Sequence, residues 1–225
     1  MTLQAESSRN LAFPAEISIP TNVSVHRLVY DESLVEEWTS LLSAEENVRL
    51  AEMKHENRRR SFLMGRASLR LMLSALRGVP ALDIIIRVEE NGSIVSPDTP
   101  WHISLAHSGE EAVSVASLQR VGVDLEVVSK RDDDLLGYIT HESEFELIDP
   151  LPLERQEKLL LCWTAKEAVL KALGTGLRRS PKSVRVIRVD QNPLRMCIKD
   201  VEGHAWDIAL ERRGAYYLAI ATPEE

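Results

Sequence analysis

The chain reads as though it had been written twice. Ile86-Arg87-Val88-Glu89-Glu90-Asn91 is echoed by Ile187-Arg188-Val189-Asp190-Gln191-Asn192, and Trp101-His102-Ile103-Ser104-Leu105 by Trp206-Asp207-Ile208-Ala209-Leu210. Upstream, Arg66-Ala67-Ser68-Leu69 lines up with Lys166-Glu167-Ala168-Val169, and Leu73 with Leu173. Downstream, Gly109 falls on Gly214 and Val113-Ser114-Val115-Ala116 on Leu218-Ala219-Ile220-Ala221. At the front, Val23-Ser24-Val25-His26 matches Val121-Gly122-Val123-Asp124, and Ser43-Ala44-Glu45-Glu46 sits opposite Thr140-His141-Glu142-Ser143. The offset drifts from about 97 to 105, and the matches keep one order, which chance does not produce.

Each half reads strand, capped helix, long helix, strand, hairpin. Ser43 with Glu46 has the form of a capping box. Phe62, Leu63, Leu69, Leu73 and Leu76 recur at helical spacing from about 57 to 76, before Gly78 and Pro80. The matching helix runs from about 153 to 173 and stops at Gly174 and Gly176. Strands are expected near 83–88, 101–106, 112–117, 121–128, 184–189, 206–210 and 216–221. The expected fold is therefore α/β (α+β), with two similar halves about a pseudo-twofold axis and a cleft between them. The N-terminal half is 17–119 and the C-terminal half 120–225, joined near Leu118-Gln119-Arg120. Residues 1–16 lack periodicity and read as a loose arm.

The halves agree in apolar pattern but differ in charge. In Gly122-Val123-Asp124-Leu125-Glu126, period-two alternation puts Asp124 and Glu126 on one face, about 6.6 Å apart along the strand. In Trp163-Thr164-Ala165-Lys166-Glu167-Ala168-Val169-Leu170-Lys171, Glu167 and Lys171 stand one helical turn apart. Three carboxylates beside ammonium groups suit a Mg²⁺-dependent enzyme acting on a pyrophosphate. The plain alternatives are the polar face of a half-buried strand and a surface i,i+4 pair. His26 and Leu28 stand where Asp124 and Glu126 do, and Arg66-Ala67 where Lys166-Glu167 does. One half would thus hold a metal, while the other offers Arg66, Arg70 and His107 to phosphate and nucleotide.

These two fragments carry a resemblance to the 4′-phosphopantetheinyl transferases of the larger, surfactin-synthetase-activating type. That family shows a G-[IV]-D-[IVL]-E strand and a W-[ST]-x-K-E-x-x-x-K helix, both present here without mismatch. The family's S-H-S segment stands as Ala106-His107-Ser108, and its G-K-P as Gly92-Ser93-Ile94, so one hydroxyl and one lysine are missing. The resemblance runs from about Lys54 to about Val186. It implies the pseudo-dimeric fold and transfer of phosphopantetheine from coenzyme A to a carrier-protein serine, releasing adenosine 3′,5′-bisphosphate. It also implies a metal on Asp124, Glu126 and Glu167, with Glu167 as a metal ligand, as the base for the serine proton, or as both. Lys171 would sit on the pyrophosphate. Arg60, Arg66, Arg70, His107 and Ser108 would face the coenzyme, and Lys166 either a phosphate, the carrier or plain solvent. Trp163 is expected to pack in the core. Val128–Ile148 would receive the carrier or cover the sheet. Mg²⁺ and Mn²⁺ both accept oxygen ligands, so either satisfies the pattern.

Composition bounds the partners. The 225 residues are 44% apolar and 28% charged, as in an ordinary globular protein. No apolar run approaches the roughly 18 residues of a membrane span, and no signal peptide opens the chain, so a cytoplasmic location without membrane contact is expected. Cys162 and Cys197 lack C-x-x-C spacing and read as reduced thiols. The net charge of −8 argues against a nucleic-acid partner and leaves an anionic coenzyme to local basic clusters: Arg58-Arg59-Arg60, Arg66 with Arg70, Lys130-Arg131, and Arg178-Arg179 with Lys182. An internal pseudo-dimer needs no second copy, so a monomer is expected. Two other readings stay open: another Mg²⁺-dependent phosphotransferase acting without a carrier, and a coenzyme- or carrier-binding scaffold without turnover.

Overall fold

Two antiparallel sheets, each backed by one long helix, make up most of the molecule. The computed structural model describes residues 19–128, 139–175, 179–191 and 193–224. The expected arm therefore lies outside the described residues, as do 129–138 of the stretch assigned to carrier binding. The first sheet has the order β1-β5-β4, from β1 (Val23–Val29), β4 (His102–Ser108) and β5 (Glu111–Ser117). The second has the order β6-β10-β9-β8-β7, from β6 (Gly122–Val127), β7 (Arg185–Gln191), β8 (Leu194–Lys199), β9 (Ala205–Arg213) and β10 (Tyr216–Pro223). A small hairpin, β2 (Arg87–Val88) with β3 (Ile94–Val95), stands apart. The helices are α1 (Val35–Ser40), α2 (Ala44–Glu52), α3 (Glu56–Arg77), α4 (Glu142–Ile148) and α5 (Arg155–Ala172).

The mixed α/β class is as expected, and the register of the strands follows the repeat. His26 and Leu105 both pair with Ser114, while Asp124 and Leu210 both pair with Ala219. These residues match one another in the sequence repeat. The β4–β5 and β9–β10 hairpins turn at Gly109 and Gly214, at φ 55° and 54°, where a Cβ would be strained.

The structure differs from the expected elements, or adds to them, at three places. The run 83–88 gives a strand only at Arg87–Val88, because the carbonyls of Ala81 and Ile84 accept hydrogen bonds from Arg70 at 2.7 and 2.9 Å. The strand β8 went unread: Met196-Cys197-Ile198 is buried on both faces, so it shows no alternation. A second capping box, His141 with Glu144, lies one residue beyond the Thr140 and Ser143 that the repeat sets opposite Ser43 and Glu46. Glu144 is thus the counterpart of Glu46, whose box with Ser43 forms as expected.

The apolar faces set the layers. α3 packs on the first sheet through Met64, Ala67, Leu69 and Leu73. α5 packs on the second through Leu161, Ala165, Ala168 and Val169, which are all fully buried. Between the sheets Ala106, Val113 and Val115 meet Val123, Leu125, Leu218 and Ile220. Among the described residues no helix is long and apolar enough to cross a membrane.

One contact decides how close α5 comes to β6. A Cβ on Gly122 would lie 1.9 Å from the Ala168 carbonyl oxygen and 2.6 Å from the Ala172 nitrogen. Helix backbone rests directly on strand backbone there. Gly122→Ala is expected to cost about 3 kcal/mol, the upper end for overpacking. Gly65→Ala, whose nearest neighbour is the flexible Leu105 side chain at 2.8 Å, should cost less. Urea denaturation of both variants checks this. Equal losses would contradict it.

Candidate active site

With α5 seated on β6, Asp124, Glu126, Glu167 and Lys171 come to the same side of the second sheet. Lys171 Nζ donates to Asp124 Oδ1 at 2.7 Å and to the Leu105 carbonyl at 3.3 Å, linking α5 to strands of both sheets. Trp163 does not simply fill the core: its Nε1 donates to Glu126 Oε1 at 2.7 Å. An indole N–H away from water needs such an acceptor.

Asp124 and Glu167 are each only 6% exposed, and among the described residues Asp124 Oδ2 and Glu167 Oε1 have no hydrogen-bond partner. Burial pushes Asp124 up to about 6, against the pull of Lys171. Burial, then the Asp124 charge, pushes Glu167 up to about 7. His107, exposed on β4, is lowered first by its partial desolvation and then by the Lys171 ammonium, while Glu126 pulls the other way.

These orphaned oxygens test the fit of a divalent cation. Two buried, mutually repelling carboxylates with empty acceptor positions form a hard oxygen donor set that suits Mg²⁺. Among the described residues no group of three or more His, Cys, Asp or Glu side chains already stands gathered for a metal. Lys171 and Trp163 hold one oxygen each of Asp124 and Glu126.

Beside Lys171 opens a cavity of about 230 Å³, lined by Asn91–Ile94, Ile103–Leu105 and Gly174. It takes walls from both halves of the chain. Ser93, where the family has lysine, bridges it: Ser93 Oγ donates to the Gly174 carbonyl at 3.3 Å.

Several expected coenzyme ligands are engaged elsewhere. Arg70 is 2% exposed, and its guanidinium is held by Glu46 at 2.7 Å and by the Ala81 and Ile84 carbonyls. It fastens α2 and the 81–84 turn to α3. Lys166 is fully buried and donates to Glu144 at 2.8 Å and to the Ile139 carbonyl at 2.9 Å. It is neither solvated nor near the cavity, because it leaves α5 on a different side from Lys171. Arg66 lies 3.4 Å from Glu46 and over the Phe62 ring, and burial lowers its pKa. Ser108 Oγ accepts the Val127 amide at 3.0 Å. Arg60 is at the surface, paired with Glu56 at 3.0 Å and stacked on Tyr30. Lys130, Arg131 and Arg178 lie outside the described residues.

The missing hydroxyl at Ala106 is no loss to the cavity, since that side chain is 2% exposed among apolar residues between the sheets.

Two measurements follow. An acid whose folded pKa is raised holds its proton more tightly when folded, so stability falls as pH rises from 4.5, the ordinary Glu167 value, to about 7. Glu167→Gln removes that loss. Without divalent cation, its gain in melting temperature over the parent should be larger at pH 8 than at pH 5, and an equal gain would contradict the burial argument. Lys166→Met leaves the buried Glu144 charge without its ammonium and should cost about 3–5 kcal/mol in chemical denaturation. A loss below about 1 kcal/mol would return Lys166 to the surface.

Comparison with known proteins points to one family. Residues 120–221 match the sequence model of the 4′-phosphopantetheinyl transferase superfamily. The chain is 26% identical over 165 residues to 4′-phosphopantetheinyl transferase psf-1 of Bacillus pumilus, covering 72% of this chain and 71% of that one. It is 30% identical over 156 residues to 4′-phosphopantetheinyl transferase HetI of Nostoc sp., covering 66% of each. With 4′-phosphopantetheinyl transferase gsp of Aneurinibacillus migulanus it shares 29% over 116 residues, 51% of this chain and about half (48%) of the relative. The matched segment contains both β6 and α5, and therefore Asp124, Glu126, Glu167 and Lys171, and on this likeness the chain belongs to the 4′-phosphopantetheinyl transferase superfamily.

Proposed function

We propose that this protein moves the 4′-phosphopantetheine group of coenzyme A onto a serine hydroxyl of an acyl or peptidyl carrier protein. The observation that carries the reading is the meeting of Lys171, Asp124 and Glu167 at the edge of a cavity walled by both halves. The family membership supports it, as do the names of the relatives.

In this reading the serine oxygen attacks the phosphorus that bears pantetheine. The P–O bond to the nucleotide side breaks, and adenosine 3′,5′-bisphosphate leaves with the electron pair. Asp124, Glu126 and Glu167 are the residues proposed to hold Mg²⁺. When bound, the metal supplies positive charge to the pyrophosphate oxygens. Lys171 adds an ammonium at the same edge and would exchange Asp124 Oδ1 for a phosphate oxygen. Glu167 is proposed as the acceptor of the serine proton, as a metal ligand, or as both. Trp163 steadies Glu126. His107, beside Lys171, is the remaining first-half group proposed to meet a coenzyme phosphate.

Residues 17–119 and 120–225 are proposed as two halves about a pseudo-twofold axis, the first on the nucleotide side. Their strand orders support this, since β1-β5-β4 repeats as β6-β10-β9. The protein would work as a monomer in the cytoplasm, where coenzyme A and carriers are found.

Intact-mass spectrometry tests the reading. A panel of apo carrier proteins, incubated with the protein, coenzyme A and Mg²⁺, should gain the mass of one phosphopantetheine. Glu167→Gln or chelation should lower the rate by about 100-fold or more. No gain on any carrier despite coenzyme binding would leave a scaffold without turnover.

A further inference from the structure

Three backbone amides point from β6 toward the first sheet. Amide direction alternates along a strand. Val128 N donates to Ala215 on the β10 side, while Val123 and Val127 donate the other way, so Leu125 shares their side. The acceptors on β4 are not carbonyls. Ser104 Oγ accepts the Val123 amide at 3.1 Å and Ser108 Oγ the Val127 amide at 3.0 Å. Both bonds run in the same sense, residue 104 to 123 and 108 to 127, so β4 and β6 lie side by side without a ladder between them. Ala106 stands between the two serines on the same face of β4, with only a methyl group to offer. Opposite the Leu125 amide, β4 therefore supplies no hydroxyl.

We propose that Ser104 and Ser108 are positioning residues: their hydroxyls clamp β6 on either side of Asp124 and Glu126. The proposal rests on the transfer reading of the site.

The same stretch of β4 reaches α5 as well, because the Leu105 carbonyl accepts from Lys171. One strand of the N-terminal half thereby fixes the two carboxylates and the ammonium of the C-terminal half relative to one another. A side-chain oxygen also sets the strands wider apart than the roughly 4.8 Å of a backbone ladder. That spacing fits a cavity opening at Ile103–Leu105 beside Lys171. Small displacements of catalytic groups are costly in rate, so a hydroxyl that touches no substrate can still govern turnover.

The test compares the parent, Ser104→Ala, Ser108→Ala, the double alanine variant and Ser108→Thr, which keeps the hydroxyl. Exchange of the Val123 and Val127 amides, Mn²⁺ affinity, and kcat with KM for coenzyme A are measured on each, per folded molecule. Each alanine should speed exchange at its own amide alone and lower kcat about 5-fold, with about 25-fold for the double variant. KM for coenzyme A should stay within about 2-fold, and Mn²⁺ binding should weaken with kcat. Ser108→Thr should behave as the parent. A merely structural role would reduce the folded fraction without this kcat-against-KM split. The inference is overturned if the double variant matches a parent that transfers, or if Ser108→Thr is as impaired as Ser108→Ala. A parent that neither transfers nor binds Mn²⁺ overturns the functional reading and takes this one with it.

Discussion

The site depends on the absence of a side chain at Gly122. Its Cα lies so near the α5 backbone that a Cβ would overlap the Ala168 carbonyl. This close approach puts Glu167 and Lys171, one turn apart on α5, over the carboxylate at the next-but-one position of β6. A helix resting on side chains instead would stand farther off. Lys171 would then lose Asp124, and the Asp124 charge would no longer raise Glu167. The glycine of the G-V-D-L-E fragment is therefore a packing requirement of the same unit as its acids.

Both long helices are anchored by one device. In each half the glutamate of a capping box closes a short helix and receives a base from the long one. Glu46 holds Arg66 and Arg70, and Glu144 holds Lys166 while also accepting the Val186 amide at 2.7 Å. Such pairs give little net stability but are costly to break, so they fix where each helix sits. They also take three of the expected phosphate ligands out of service. Among the described residues, that leaves the Lys171 ammonium and the His107 imidazole beside the carboxylates.

The strand with Asp124 and Glu126 and the helix with Glu167 and Lys171 were legible because strand and helix periods are local. So were the first capping box and both long helices. The fates of Arg70 and Lys166 were not, since a lone base does not name its partner and a buried pair forms through contacts remote in sequence. A signal was present: each half places a capping-box acid upstream of the helical base. Trp163 reads as core from helical spacing, though its indole N–H called for an acceptor. Ser104 was hidden because a serine in an apolar strand signals nothing until the neighbouring strand's unpaired amides are known. The strand β8 was hidden by burial on both faces, which erases alternation.

The central claim is that Asp124 and Glu167 form one cation site held by protons when the cation is absent. Calorimetric titration of Mg²⁺ into the protein with coenzyme A, near pH 6.5 in buffers of different ionisation enthalpy, measures the protons released on binding. With the carboxylates pushed up to about 6 and about 7, binding should release close to one proton, falling toward none by pH 8.5. Saturable binding without proton release at pH 6.5, or unchanged binding in Asp124→Asn, would contradict the account.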